Sequence, residues 1–409
     1  MLSKISYQAL LRRDGHAPFS FRRASSLMKS RSIPNHFSPH SIIYRRFNHS
    51  TSDVPLAENF PGSRIFNPHH YSARTNDWLP FGDVQGQGVL DQGSLLRIVS
   101  WNIDFMALGR AERTSVAIDH LEETFGDPPS PLVIMLQEVH IESLKAILDH
   151  SWIKRNFVLS DATAPQRYFT LMMVSRDVRT ENWIRVRLPS NMERDILAVD
   201  IPISYPSSEP GSSTKILRLC TTHLESLRET EGNELRPRQL ALISALLKST
   251  KVVGGLVGGD MNHISALDAT SHKADGVDLR DVWEDTPPPV IPTLKPFQRD
   301  LTLGRARGNT WGYQSRRVGG SRKRLDKFFY TGSIDTIALA EVPDLAGKIA
   351  RLGIGLKTKV EVWENSIGDR YDKKQAYDSH GLLKEHGVLK EMDAWVSDHF
   401  GIAIGIKVR

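Results

Sequence analysis

Residues 132–138 read Leu-Val-Ile-Met-Leu-Gln-Glu, five consecutive apolar side chains that end in an amide and a carboxylate. Five residues is the length of a buried strand and far short of the roughly 18 needed to span a bilayer. The same texture recurs along the chain, at Leu95–Trp101, Phe169–Ser175, Ile196–Ile203, Ile216–Thr222, Val252–Val257, Leu325–Tyr330 and Ile402–Val408. Between some of these runs lie amphipathic helix candidates, Glu112–Phe125, Ile141–His150 and Glu234–Leu247. Strands and helices are interspersed without strict βαβ alternation, which predicts an α/β sandwich of packed mixed sheets with helices outside. A TIM barrel or a Rossmann fold fits less well.

The 409 residues carry 53 Lys plus Arg against 47 Asp plus Glu, a formal net charge of +6. Residues 1–50 hold nine basic residues and one acidic one, so this segment alone is +8 and the remaining 359 residues sum to −2. The basic balance therefore describes the tail, and a groove for a polyanion must be a local patch of the body. No apolar run is long enough for a membrane span, so no membrane insertion is expected. The single cysteine, Cys220, excludes an intrachain disulfide and a multi-cysteine zinc site. A reducing compartment is the natural reading.

Three regions follow from composition. Residues 1–50 form a basic, Ser-rich, acid-poor tail with the composition of a mitochondrial transit peptide, or of a basic arm that rests on a partner. Residues 51–93 lack clear periodicity and are punctuated by Pro55, Pro61, Pro68 and Pro80, as a linker or strap would be. Residues 94–409 form the body. Within it, 287–310 is a basic loop, and 343–394, polar with weak helical signals, reads as an insertion or covering element.

Several runs end in polar residues. Asn102 follows Trp101, Glu138 follows Gln137, His223 follows Thr222, Asp260 and Asn262 follow two glycines, and Ser397-Asp398-His399 precedes the last apolar run. Each has an ordinary explanation: a solvated strand end, an Asx turn, a core imidazole or a cap. Together they are the types needed for metal-assisted hydrolysis of a phosphate ester. A hard divalent cation takes oxygen ligands, for which Glu138 is the first candidate with the Asn102 carbonyl beside it. Asp260 is the candidate base for the attacking water and Asn262 its orienting group. An imidazolium at His399 can offset phosphoryl charge, and His223 can supply a second donor.

In order, Trp-Asn-Ile-Asp at 101–104, Leu-Gln-Glu at 136–138, Thr-His-Leu-Glu-Ser at 222–226, Gly-Asp-x-Asn at 259–262, Arg-Leu-Asp at 324–326 and Ser-Asp-His at 397–399 resemble the endonuclease/exonuclease/phosphatase superfamily over about residues 94–409. The resemblance implies a four-layer α/β sandwich, two packed mixed β-sheets flanked by helices. It also implies a Mg²⁺-dependent site, with Mn²⁺ as a substitute, in which Asn102, Glu138 and Asp398 belong with the metal. Asp260 and Asn262 would handle water and phosphate, Asp326 would orient His399, and His223 would touch the phosphate. Within the superfamily the chain is most similar to 5′-tyrosyl-DNA phosphodiesterases (type 2), through Tyr168-Phe169-Thr170, Arg238-Gln239-Leu240, Asp281-Val282-Trp283-Glu284 and Thr310-Trp311. Phe105 departs from the glycine usual after Trp-Asn-Ile-Asp, and Ser100 from the usual threonine.

That likeness implies a DNA-repair hydrolase whose partner is a DNA end carrying a 5′ protein or tyrosyl adduct. RNA ends, an inositol phosphate or a lipid phosphodiester remain alternative substrates, and a scaffold with a dead site remains the non-enzymatic alternative. Trp311 and Tyr168 can stack on bases or pack in the body. Arg316, Arg317, Arg322, Lys323 and Arg324 can contact the phosphate backbone or form a solvated loop. Arg194 can reach a phosphate or pair with Glu193 or Asp195. A monomer is expected, in the mitochondrion or the nucleus.

Overall fold

The computed structural model describes residues 60, 62–81, 88–206, 214–226, 230–285, 308–314, 321–342, 344–363 and 389–409. All lie in one compact unit, residues 49–409. The tail at 1–50, most of the basic loop at 287–310, Arg316 and Arg317, and the middle of the 343–394 segment lie outside the described residues.

Two mixed sheets make the frame. The first runs in spatial order β1 (Arg64–Phe66), β9 (Trp183–Arg187), β10 (Asp195–Ser204), β11 (Thr214–His223), β12 (Val252–Asp260), β14 (Asp326–Gly332) and β13 (Arg280–Asp281), with β4 (Leu90–Asp91) beside β10. The second runs β16 (Asp344–Ala346), β17 (Ile349–Leu352), β20 (Gly401–Val408), β5 (Leu96–Asn102), β6 (Leu132–His140), β8 (Tyr168–Ser175), β7 (Phe157–Leu159), β2 (His69–Ser72) and β3 (Asp77–Pro80), with β15 (Ile334–Ile337) on β20.

Period-two alternation explains the layering. In β6, Val133 and Met135 face the other sheet, where they meet Leu197, Leu219, Leu256 and Phe328. Their neighbours Ile134 and Leu136 face outward and pack with α1 (Arg110–Phe125), α2 (Ile141–Asp149) and α3 (Ser151–Asn156). On the first sheet, Ala198, Cys220 and Val257 face outward against Leu240, Ile243 and Leu246 of α4 (Thr230–Leu247). The result is helix, sheet, sheet, helix, the four layers expected. Each fully buried Leu or Ile side chain contributes about 1.5–3 kcal/mol to holding them together.

Two parallel pairs position the site. β5 and β6, joined by α1, run parallel with Asn102 opposite Gln137. β11 and β12, joined by α4, run parallel with His223 opposite Asp260. β14 then pairs antiparallel with β12, placing Asp326 opposite Asp260. His223, Asp260 and Asp326 thus form one row across the first sheet.

Two segments differ from expectation. Within 51–93, read as a linker or strap, β1 pairs with β9, β2 with β7 and β4 with β10, so the described residues of the segment extend both sheets. Strands of two to four residues are too short to show alternation. In 343–394 the described residues are strands where weak helices were expected. β16 and β17 join the second sheet on β20, while β18 (Lys357–Trp363) and β19 (Leu389–Trp395) form a separate hairpin. The exposed side of that hairpin carries Lys359 between Glu391 and Asp393, which accounts for the polar composition.

Candidate active site

Backbone geometry aims the key side chains. The register of β6 against β8 shifts between Leu136 and Val139, and Glu138 in this bulge takes φ 59°, which turns its side chain off the sheet. Asp104 (φ 53°) and Asn262 (φ 46°), just beyond β5 and β12, are left-handed too. Such conformations cost on the order of 1–3 kcal/mol each in non-glycine residues and collect at functional sites. Gly259 serves a different need: a Cβ there would lie 2.0 Å from the Thr222 carbonyl oxygen, so only glycine lets β12 approach β11 before Asp260.

The strand ends converge. Asn102 Nδ2 donates to Glu138 Oε1 at 3.2 Å and to Asp260 Oδ2 at 3.1 Å, tying the two sheets together. Its Oδ1 accepts the Asp104 amide at 3.0 Å, so the side chain acts as a bridge, and any metal contact by its carbonyl would share that oxygen. The Phe105 amide donates to Glu138 Oε2 at 3.0 Å. His399 Nδ1 lies 2.8 Å from Asp326 Oδ2, and its Nε2 lies 3.8 Å from Asp260 Oδ2 and from Asp398 Oδ1. Thr310 Oγ1 accepts the amides of Leu325 and Asp326, fixing the start of β14. Asn262 is held by its Nδ2 on the Leu224 carbonyl and by its amide on Asp260 Oδ1.

Arg194 Nη2 lies 3.2 Å and Asp260 Oδ2 3.4 Å from His223 Nε2, and the Nδ1 on the other side of the ring has no hydrogen-bond partner among the described residues. Burial, then Arg194 and His399, hold the ring well below its ordinary pKa. A cavity of about 10 Å³, the scale of one water, opens between Glu138, Tyr168, Arg194 and His223.

Charge in the cleft is polarised. Burial, followed by the carboxylates of Asp104 and Asp398, pushes Glu138 up to about 7. Burial and Asp398 likewise raise Asp104, against the pull of Arg113. Burial raises Asp260, opposed by His399. For His399 itself, burial works to lower the pKa, but Asp326, Asp398 and Asp260 outweigh it and lift the imidazolium well above the usual range. Glu138 and Asp104, both raised, stand with Asp398 as hard oxygen donors, which fits a divalent cation such as Mg²⁺. Among the described residues, the groups of three whose ligand atoms already lie close together are His272–Asp281–Glu284 and Asp119–Glu122–His150, outside this cleft. In them Arg324 and Lys273 already pair with Asp281 and Glu284, and Arg155 with Glu122.

The structure brings Asn102, Glu138, His223, Asp260, Asn262, Asp326, Asp398 and His399 into this one cleft. Arg194 and Tyr168 join them, since the Arg194 guanidinium lies 5.4 Å from the Tyr168 ring centre; Asp195, a partner considered for it, is held by Arg185 at 2.6 Å. Trp311 borders the cleft, where its Nε1 donates to Asp398 Oδ2 at 2.8 Å. Arg322 lies over Tyr313 at 4.7 Å. Arg324 departs from the expected basic cluster: it pairs with Asp281 at 2.8 Å and lies over Trp283, because the fully buried Asp281 carboxylate requires a cation. Asp104 and Arg113 were given no role. Asp104 was visible in Trp-Asn-Ile-Asp, while Arg113 reads as helix surface, yet it is buried and donates to the Ile103, Asp104 and Trp395 carbonyls.

The sequence profile of the Endonuclease/Exonuclease/phosphatase family matches residues 99–399. No curated protein sequence matches the chain. Among solved structures, a truncated Caenorhabditis elegans TDP2 is similar at 18% identity and a TM-score of 0.48, covering 77% of this chain and 98% of that one. D. rerio TDP2 complexed with single strand DNA product is similar at 19% identity and a TM-score of 0.47, covering 77% and 100%. The human Nocturnin catalytic domain with bound sulfate follows at 15% identity and a TM-score of 0.42, covering 77% and 94%.

Proposed function

The chain belongs to the endonuclease/exonuclease/phosphatase family and is a hydrolase of phosphodiesters, and from that premise we propose that it acts at DNA ends, releasing 5′-linked tyrosyl adducts in a metal-dependent reaction. The observation that carries the reading is the placement of His399 between Asp326 and Asp260, one hydrogen-bonded bridge from Glu138.

Asp260, its pKa raised by burial, takes the proton of the attacking water, and Asn262 orients that water. The His399 imidazolium, locked by Asp326, offsets the charge that builds on the phosphoryl oxygens. His223 supplies a second donor to one of those oxygens. Glu138 and Asp398, with the Asn102 carbonyl beside them, are the residues that would hold Mg²⁺ or Mn²⁺, which at this place would neutralise phosphate charge. A phenol of pKa about 10 is a good leaving group, so no strong acid is needed on its side. Support for a DNA end comes from the ordered motifs and from Trp311 at the border of the cleft. The chain is proposed to work as a monomer.

The test is turnover of a 5′-phosphotyrosyl oligonucleotide by the purified chain with Mg²⁺. It should exceed that of an abasic site, an internal DNA phosphodiester, an RNA end, an inositol phosphate or a sphingolipid. Equal turnover of any competitor refutes the substrate and leaves the family standing. For the compartment, mitochondrial import by residues 1–50 is proposed; a reporter fused to them that stays in the cytosol or enters the nucleus overturns it.

A further inference from the structure

Leu108 and Gly109 end the loop that carries Asp104 and Phe105, and they lie against the β18–β19 hairpin. A Cβ on Gly109 (φ 66°) would come 2.2 Å from Val360 Cγ1, so a methyl of β18 occupies the place of the side chain that Gly109 lacks. Leu108 packs with Val360, Val362, Met392 and Ala394, the apolar face of the hairpin, and β18 packs against α1. A two-stranded hairpin is marginal by itself, so this face must be buried on something. What it covers is the loop. The end of β19 is tied to the same place: Arg113 of α1 donates its Nε to the Trp395 carbonyl and its Nη1 and Nη2 to the Asp104 and Ile103 carbonyls. Ser397, two residues past β19, donates its Oγ to the Asn102 carbonyl at 2.6 Å.

We infer that the β18–β19 hairpin clamps residues 103–109 and through them sets the direction of the Glu138 carboxylate, with Val360 and Arg113 as positioning residues. Glu138 needs such a hold. Its φ of 59° and the neighbouring carboxylates of Asp104 and Asp398 drive it away, and the hydrogen bonds from Asn102 and from the Phe105 amide keep it in place. The Phe105 amide is only as steady as the loop that bears it. The consequence for cation binding rests on the reading of Glu138 as a ligand and deepens it: a carboxylate already directed binds a cation more tightly, because less ordering remains to be done.

The experiment measures hydrogen exchange across residues 103–109 and calorimetric Mg²⁺ binding in the full chain and in its Val360→Ala and Ile243→Val variants. Ile243 lies in α4, on the outer side of the other sheet. Val360→Ala removes two buried methyl groups, and should speed exchange of the Phe105 amide and weaken Mg²⁺ binding about ten-fold each. Ile243→Val should lower the melting temperature and leave both unchanged. Exchange no faster in Val360→Ala, or raised as much in Ile243→Val, overturns the inference, because the hairpin then only adds to overall stability. Faster exchange with unchanged Mg²⁺ affinity also overturns it when Glu138→Ala abolishes that binding. If Glu138→Ala binds Mg²⁺ like the parent chain, the reading of Glu138 as a ligand fails, while faster exchange in Val360→Ala still supports the clamp.

Discussion

Asp326 Oδ2 lies 2.8 Å from Nδ1 of His399, a contact between the first residue of β14 in one sheet and the residue two positions before β20 in the other. The carboxylate fixes the ring so that Nε2 faces Asp260. It is also the first among the three carboxylates that keep the ring protonated.

His399→Ala and Asp326→Asn should each slow the chemical step by about 10²–10⁴. The double variant should be little worse than His399→Ala, because the pair acts as a unit. In Asp326→Asn the imidazole loses its largest source of upward shift, so the alkaline limb of the pH–rate profile should move to lower pH. An unmoved limb with additive losses would mean the pair is only a packing contact.

Metal affinity should depend on pH through Glu138. Its carboxyl, pushed up to about 7, must lose a proton to bind a cation, so Mg²⁺ binding should weaken about ten-fold for each pH unit below 7 and level off above about 8. Calorimetry in buffers of different ionisation enthalpy should detect the proton released. Binding that is flat from pH 6 to 8 would contradict this, and Glu138→Ala turning over normally at saturating metal would remove Glu138 from the site.

Glu138→Gly should abolish turnover and yet raise the melting temperature of the metal-free chain. It relieves the φ of 59° and removes one of three mutually repelling carboxylates. A gain of about 1 kcal/mol in urea unfolding is expected. A lower melting temperature would show that the hydrogen bonds from Asn102 and Phe105 outweigh the strain.

Gly259→Ala should destabilise by about 3 kcal/mol or more, since the added methyl meets the Thr222 carbonyl at 2.0 Å with no side chain to yield. Unfolding that matches the parent chain would show that β11 and β12 can separate without loss.

Much of the site was legible because its residues end apolar runs. Runs such as 132–136 and 252–257 are strands by length, and whatever ends them emerges at a sheet edge, so Asn102, Glu138, His223 and Asp260 were found without tertiary information. The residues that escaped are set by partners distant in sequence. Arg113 lies in the helical stretch Arg-Ala-Glu-Arg-Thr, where a charge is expected to face water, and only the carbonyls of Ile103, Asp104 and Trp395 turn it inward. Arg324 was grouped with its basic neighbours because its claimant, Asp281, lies 43 positions earlier. The strands of residues 64–91 were missed because pairing with β7, β9 and β10 makes them strands, not their own pattern.

Late as it is in the chain, β20 occupies the interior of its sheet, between β17 and β5, and the residues leading into it carry Asp398 and His399. A polypeptide emerging from its first residues onward can gather Asn102, Glu138 and Asp260 but not the imidazolium, and its second sheet stays divided until residues 401–408 are supplied. Hydrolytic power therefore arrives together with the closure of the fold. Partly synthesised or truncated chains are expected to be silent toward phosphodiesters.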